Sequence, residues 1–341
     1  MSARRVVVIG AGIVGVCVAY HLSRRGCAVT VVEANPGPAM GVTAHAFGWI
    51  NLIHGQPERP AAYALLRQAV EEYARLEREL PAALQGARRG SLVWEDSAEA
   101  TAALVAAHRA HGTAIDLVDG ATVARLEPHL KSRPPLAAHC QHDIALDPSR
   151  LADRLLDAAL SCGATARFSE TVTAIEVSGS RATGVRTPNG IIAADVVVLA
   201  AGTGTALLTK PLGVDAEVEA SPVRLLRYAT TDRFVRGIVC GPDLEVRQAN
   251  DGSLVIAEDF SDEEPDQAGR RTLETIARTF HATGNISFVS AVVGLRPIPA
   301  GEMPLAGFAG GVDGLYLAVA HPGVILAPLL GRRAAETILG G

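Results

Sequence analysis

Gly10, Gly12 and Gly15 stand in the order GxGxxG directly after the β-branched run Val6-Val7-Val8-Ile9. A carboxylate, Glu33, closes a second such run, Val29-Thr30-Val31-Val32. Residues of these types at this spacing bind a dinucleotide. Gly10 allows a tight turn, Gly12 lets the backbone approach a pyrophosphate, and Gly15 lets a helix pack close to the strand. The first helical residues, Ile13 and Val14, present free N–H groups and the positive end of the helix dipole to phosphate. Glu33, with Ala34 beside it, accepts from a ribose 2′-OH, which disfavours a 2′-phosphate there. A second helix start stands at the other end of the chain, where His321-Pro322-Gly323 follows the strand-like Gly314 to Val319. The amides of Gly323, Val324 and Ile325 cannot all bond within that helix, so they are available to an acceptor.

These groups need elements to hold them. The first 33 residues read as a strand, an apolar helix through Leu22 closed by Gly26, and a second strand. Pro60 to Leu80 has the period of an amphipathic helix, with Leu65, Leu66, Ala69, Tyr73 and Leu76 on one face. Asp147-Pro148 is an N-cap followed by a first-turn proline, for a helix ending at Gly163. Ile191 to Ala201 reads as one strand, and its Val196-Val197-Val198-Leu199 core predicts burial on both faces. Val218 to Thr230, Gly237 to Val239, Leu244 to Ala249 and Ser253 to Ile256 predict an antiparallel sheet, with Asn250-Asp251-Gly252 as a hairpin turn. Glu258 to Gln267 is acidic and reads as solvated, Leu273 to His281 as a helix, and Val289 to Arg296 as a strand.

The fold class predicted is α/β, a Rossmann-like domain with a parallel sheet plus an α+β domain with a mainly antiparallel sheet. The first is expected to be discontinuous, over 1–84, 146–215 and 296–341. The second takes 85–145 and 216–295, and a ligand between the two meets the C-terminal ends of the parallel strands.

The chain has 341 residues, 48% of them hydrophobic and 20% charged, enough for a sizeable core. A net charge of −5 without a basic run excludes a nucleic-acid partner. Val6 to Tyr20 is too short and too glycine-interrupted to span a bilayer. Met1-Ser2-Ala3-Arg4-Arg5 before it is superficially like the start of a signal peptide, and the strand–helix–strand reading accounts for it better. The protein is expected in the cytoplasm. Its five cysteines form no CxxC, so they are expected as small buried hydrophobes, and no metal is expected. Lysine occurs only at Lys131 and Lys210, leaving few candidates for Schiff-base chemistry.

The order of motifs resembles the D-amino-acid oxidase superfamily of flavoproteins, the group of glycine oxidase, sarcosine oxidase and D-amino-acid dehydrogenase, over nearly the whole chain. The opening glycines with Glu33 are shared by many dinucleotide proteins. More specific are Ala145-Leu146-Asp147-Pro148, Gly163-Ala164, and the run Ala194-Asp195-Val196-Val197-Val198-Leu199-Ala200-Ala201-Gly202. The most specific are Gly294-Leu295-Arg296-Pro297, Pro304-Leu305-Ala306-Gly307 and His321-Pro322-Gly323-Val324-Ile325-Leu326-Ala327-Pro328.

The resemblance implies FAD, with Val172, Ala201 and Gly202 closing on it and the helix start at Gly323 facing the flavin N1–C2=O edge. It implies that Arg296 pairs with a substrate carboxylate beside the flavin, fixing Cα–H toward N5. Thr43-Ala44-His45-Ala46-Phe47-Gly48-Trp49 is similar to the loop under the pyrophosphate and ring, where some relatives join a histidine covalently to flavin. His45 falls there, and non-covalent binding is expected. Trp49, Asn51 and His54 are further pocket candidates, as are Arg224, Arg227 and Arg247, for which a structural role is the alternative expectation.

The implied reaction is FAD-dependent oxidation of an amino acid or secondary amine to an imine. Oxidation of a 2-hydroxy acid, or a flavin-binding subunit that needs a partner, are the alternatives. Relatives often carry a tyrosine on the strand corresponding to Leu244-Glu245-Val246-Arg247, and this chain has none there. Neither lysine is placed for oxygen activation, so O2 and another electron acceptor both stay open, as does the oligomeric state.

Overall fold

The nucleotide-type half is built on a six-stranded sheet whose central strand is Arg5–Ile9. Ala28–Val32 and Thr165–Arg167 lie to one side of it, Val196–Leu199 and Leu315–Val319 to the other, all parallel. Leu305–Phe308 closes the edge antiparallel. The computed structural model describes residues 3–281, 284–301 and 303–340, so Met1 and Ser2 of the N-terminal arginine segment lie outside the described residues. The chain leaves Arg5–Ile9 toward one neighbour and later returns on its other flank. A crevice therefore opens at the C-terminal ends of these strands.

Burial on both faces explains the unbroken apolar runs. Val6 and Val8 face the helices Ile13–Ser23, Pro148–Ser161 and Gly323–Leu339, while Val7, Ile9, Val197 and Leu199 face a three-stranded antiparallel sheet. Asp147 caps its helix as expected, accepting from the amides of Ser149 at 3.1 Å and Arg150 at 3.4 Å.

A second, nine-stranded sheet is antiparallel except where Ile238–Gly241 runs parallel to Arg88–Val93. Ser287–Pro299 is its edge, followed inward by Val218–Ala229, Leu254–Asp259 and Leu244–Gln248. The hairpin turn at Asn250-Asp251-Gly252 is present, with Gly252 at φ +93°. We propose the same two-part division of the chain, with two adjustments. Trp49–Ile50 pairs with Leu136–Ala145, and Arg296 to Pro299 pair with the strand from Val218, so both belong to the second sheet.

Three local expectations are corrected. The run from Ile191 is two strands, Gly190–Ala193 and Val196–Leu199, in different sheets. The break falls at Asp195, whose carboxylate takes the backbone N–H and guanidinium of Arg5 at 2.8 Å each. Pro297 does not end its strand, because an edge strand tolerates a missing N–H. The acidic stretch after Glu258 is not simply solvated: a helix spans Pro265–Thr279, and Glu258 and Glu263 both pair with Arg224 and Arg271.

Candidate functional site

A cleft of ≈ 1740 Å³ lies between the C-terminal ends of the parallel strands and the inner face of the second sheet. Of the residues expected at a cofactor, Gly10, Gly12, Ile13, Val14, Glu33, Ala34, Thr43, His45, Gly48, Trp49, Val172, Ala201, Gly202, Arg296, His321, Gly323, Val324 and Ile325 all line it, with Asn51 and His54. Gly15 and Ala44 do not. Gly15 faces inward: a Cβ there would stand 2.0 Å from the carbonyl oxygen of Gly10. Arg224, Arg227 and Arg247 do not line the cleft either. Arg224 is buried in its ion pairs, Arg227 donates to Ser253 at 3.3 Å, and Arg247 donates to the carbonyl of Phe47, fastening the 43–49 loop to the second sheet. Burial holds the Arg247 guanidinium down at about 10.

The two glycine-rich ends converge on this space. Gly10 sits at φ +99°, a backbone conformation that favours glycine, and its turn lies against the carbonyl of Ala200. Gly12 is the N-cap of its helix at φ −68°, with no side-chain cap of its own. The amide of Ile13 is instead taken by the hydroxyl of Thr43 at 3.1 Å. A Cβ on Gly12 would meet only that hydroxyl, at 3.4 Å, so the protein leaves a methyl-sized space there. The C-terminal helix also begins without a side-chain cap or an acidic residue in its first turn. Tyr73 holds this start by donating to the carbonyl of Val324 at 2.5 Å. The Ile13 amide is thus not free as expected, and what suits the phosphates and polar ring edge of a flavin dinucleotide is the rest of that helix start, the uncapped start at Gly323 and the close glycine backbone.

Glu33 does more than the sequence suggested. One carboxylate oxygen accepts from Ala11 N–H at 2.7 Å, and the other accepts from Asn35 at 2.9 and 2.7 Å. It ties the two turns together and keeps accepting capacity for a ribose hydroxyl.

Arg296 enters from the edge strand. Its Nη2 donates to the Ser221 hydroxyl at 2.9 Å and to the Pro222 carbonyl at 3.4 Å. Its Nε is buried and has no partner. It makes no ion pair among the described residues. Beside it His321 is pushed down to about 4 by burial and then by the Arg296 charge, so His321 is neutral at pH 7. Arg296 is thus a cation anchored at one end with a donor left over. Gly294, two residues earlier, has to be small: a Cβ would meet the His45 Cβ at 3.0 Å. That contact packs the His45 loop against the arginine's strand.

At the far end of the cleft His54 stands edge-on to Trp49, with ring centroids 4.5 Å apart. Asn51 fixes this loop, accepting from His54 N–H at 3.1 Å and donating to the Trp49 carbonyl at 3.3 Å. The Trp49 indole donates to Asp143 at 2.7 Å, and so does the Ser91 hydroxyl. Asp143, which holds Trp49 from behind, and Cys240 and Glu245, which line the cleft, were not singled out from the sequence. Glu245 alternates with buried Leu244 and Val246, a pattern that reads as an outward-facing side chain. Here that face is the cleft wall. Neither Lys131 nor Lys210 lines the cleft.

Burial pushes the Asp143 carboxyl up to about 7, although its two donors oppose this. The folded state therefore holds this proton more tightly than the unfolded chain. Its contribution is fully present below the unfolded value of 3.8 and is lost as pH rises toward about 7. Asp143→Asn keeps an acceptor for Trp49 and Ser91 and has no proton to lose. The melting temperature of the variant should gain on the original protein as pH is raised from about 4 to about 8. A difference that stays constant with pH would show that Asp143 does not carry this dependence.

No described helix is long and apolar enough to cross a membrane. The fold matches that of glycine oxidase from Bacillus cereus, with a TM-score of 0.87 at 22% identity over 99% of this chain and 97% of that one. By sequence the chain is 28% identical to glycine oxidase of Pseudomonas aeruginosa, covering 98% of this chain and 95% of the relative. It is 27% identical to D-amino acid dehydrogenase of Cereibacter sphaeroides, covering 93% and 87%. Residues 5–337 match the DAO family, described as FAD dependent oxidoreductases, and the chain belongs to that family of flavoenzymes.

Proposed function

We propose that this enzyme oxidises an amino acid or a secondary amine at its Cα–N bond, giving the imine. The observation that carries the reading is Arg296, a cation on the cleft wall anchored through Nη2 to Ser221 and Pro222, with Nη1 uncommitted and no acid of its own among the described residues. A carboxylate on this fork would hold the substrate Cα toward the floor formed by Ala320, His321 and the Gly323 helix start. The bound FAD would supply the hydride acceptor for Cα. Gly12, Ile13, Val14, Thr43 and Glu33 would hold its nucleotide half, and Gly323 to Ile325 its ring edge. Neutral His321 adds no second positive charge beside Arg296, so the carboxylate has one site to occupy. The names of the glycine oxidase and D-amino acid dehydrogenase relatives support the substrate class.

Anaerobic bleaching of the yellow holoenzyme by a panel of amino acids, N-alkyl amino acids and 2-hydroxy acids tests the reading. Bleaching is expected from members of the first two classes. Bleaching by hydroxy acids alone would replace the proposed reaction, and bleaching by none would point to a partner-dependent subunit. Acid precipitation should leave the flavin in the supernatant. A yellow pellet would instead identify a covalent bond, with His45 as its candidate. Five unpaired thiols fit a reducing compartment, which supports the cytoplasm as the place of action.

A further inference from the structure

The cleft also contains three side chains of metal-ligating type whose ligand atoms all lie within 4.8 Å of one another: His54, Cys240 and Glu245. Their placement is built into the fold. Cys240 and Glu245 are directly opposite each other across the antiparallel pair Ile238–Gly241 and Leu244–Gln248. His54 is supplied by the loop that Asn51 braces, and its ring is set by Trp49, itself held by Asp143. Among the described residues Glu245 and Cys240 make no side-chain hydrogen bond or ion pair, so neither is spent on the fold.

We propose that His54, Cys240 and Glu245 form a site for a borderline divalent cation of the zinc type. One nitrogen, one thiolate and one carboxylate are a zinc ligand set, and bonds of roughly 2.0–2.3 Å place tetrahedral ligands about 3.5 Å apart. The three atoms here need to close by about 1 Å, within reach of a side-chain rotation at the cleft-facing His54. Three protein ligands leave the fourth position for water or for an amine or carboxylate entering the cleft, and binding releases the thiol proton to solvent. The site is separate from Arg296, which stands on the edge strand of the same sheet with two strands between it and Leu244–Gln248, and it does not depend on the substrate reading above.

Cobalt(II) added to chelator-treated holoenzyme is the test, since its d–d bands fall to the red of flavin absorption. We expect intense bands of a tetrahedral thiolate-containing site, saturating at one cobalt per chain and displaced by zinc. Cys240→Ser and His54→Gln should abolish them, and Glu245→Gln should weaken cobalt affinity by about tenfold or more. All three variants should keep their flavin spectrum, which reports an intact fold. Weak octahedral-type bands, or intense bands that survive Cys240→Ser, would overturn the proposal. Retention of the bands in His54→Gln would do the same, by placing the metal elsewhere.

Discussion

Arg296→Met is expected to lower the second-order rate of flavin reduction by amino acids about 10²-fold or more, with FAD content unchanged. The size follows from the surroundings of the guanidinium. Its Nη2 is already committed to Ser221 and Pro222, which fixes its plane, while its Nη1 has no partner among the described residues. A carboxylate docked there would sit in a charge-assisted pair shielded from water. Removing one member of such a pair costs roughly 2–5 kcal/mol, since the other is left buried and unpaired. Methionine keeps the apolar stem, so the strand pairing from Val218 to Ala229 should survive. Lysine should rescue only in part, because a point charge cannot reproduce the planar fork. The control is chemical: amines lacking the carboxylate should lose far less than the corresponding acids. Equal losses for amine and acid would mean that Arg296 serves the fold or the flavin, and the proposed substrate class would lose its main support.

How far this site could be read from sequence differs from end to end. The nucleotide half was legible because its chemistry is backbone chemistry. Gly10, Gly12 and the helix start at Gly323 announce themselves by position, and all of them line the cleft. The parallel sheet was legible for the same reason, through short apolar runs with punctuating glycines. The break at Asp195 was hidden because both strands of that run are apolar, and only the salt bridge to Arg5 marks where one sheet hands over to the other. The wall formed by Cys240, Glu245 and His54 was mostly illegible. Glu245 and Cys240 become neighbours through a cross-strand register, and His54 reaches them from a distant part of the chain. Asp143 reads as one more acid among many until Trp49 and Ser91 are seen to converge on it.

Replacing Gly12 by valine should give folded but colourless protein, whereas replacing Gly15 by alanine should give protein that does not fold. Both are motif glycines, and the motif alone does not distinguish them. At Gly15 a Cβ would lie 2.0 Å from the Gly10 carbonyl oxygen and 3.4 Å from the Ala200 side chain. Backbone stands in the way, so the helix Ile13–Ser23 would have to lift off the central strand, disrupting a core that includes Val16 and Cys17. At Gly12 the backbone is in an ordinary extended conformation, with φ −68° and ψ 172°, and only the Thr43 hydroxyl lies within 4 Å of where a side-chain methyl would stand. The apoprotein therefore gives no reason for glycine there beyond about 1 kcal/mol of capping preference. The proposed FAD site supplies the reason, since a side chain on Gly12 would enter the cleft where the pyrophosphate is placed. The stabilisation that FAD confers on the folded state by mass action should vanish with its binding. The melting temperature of Gly12→Val should lie within a few degrees of that of FAD-stripped original protein and should not respond to added FAD. A yellow Gly12→Val variant with an FAD-dependent melting temperature would mean that the pyrophosphate does not pass this glycine, and the cofactor placement would have to be redrawn around the Gly323 helix alone.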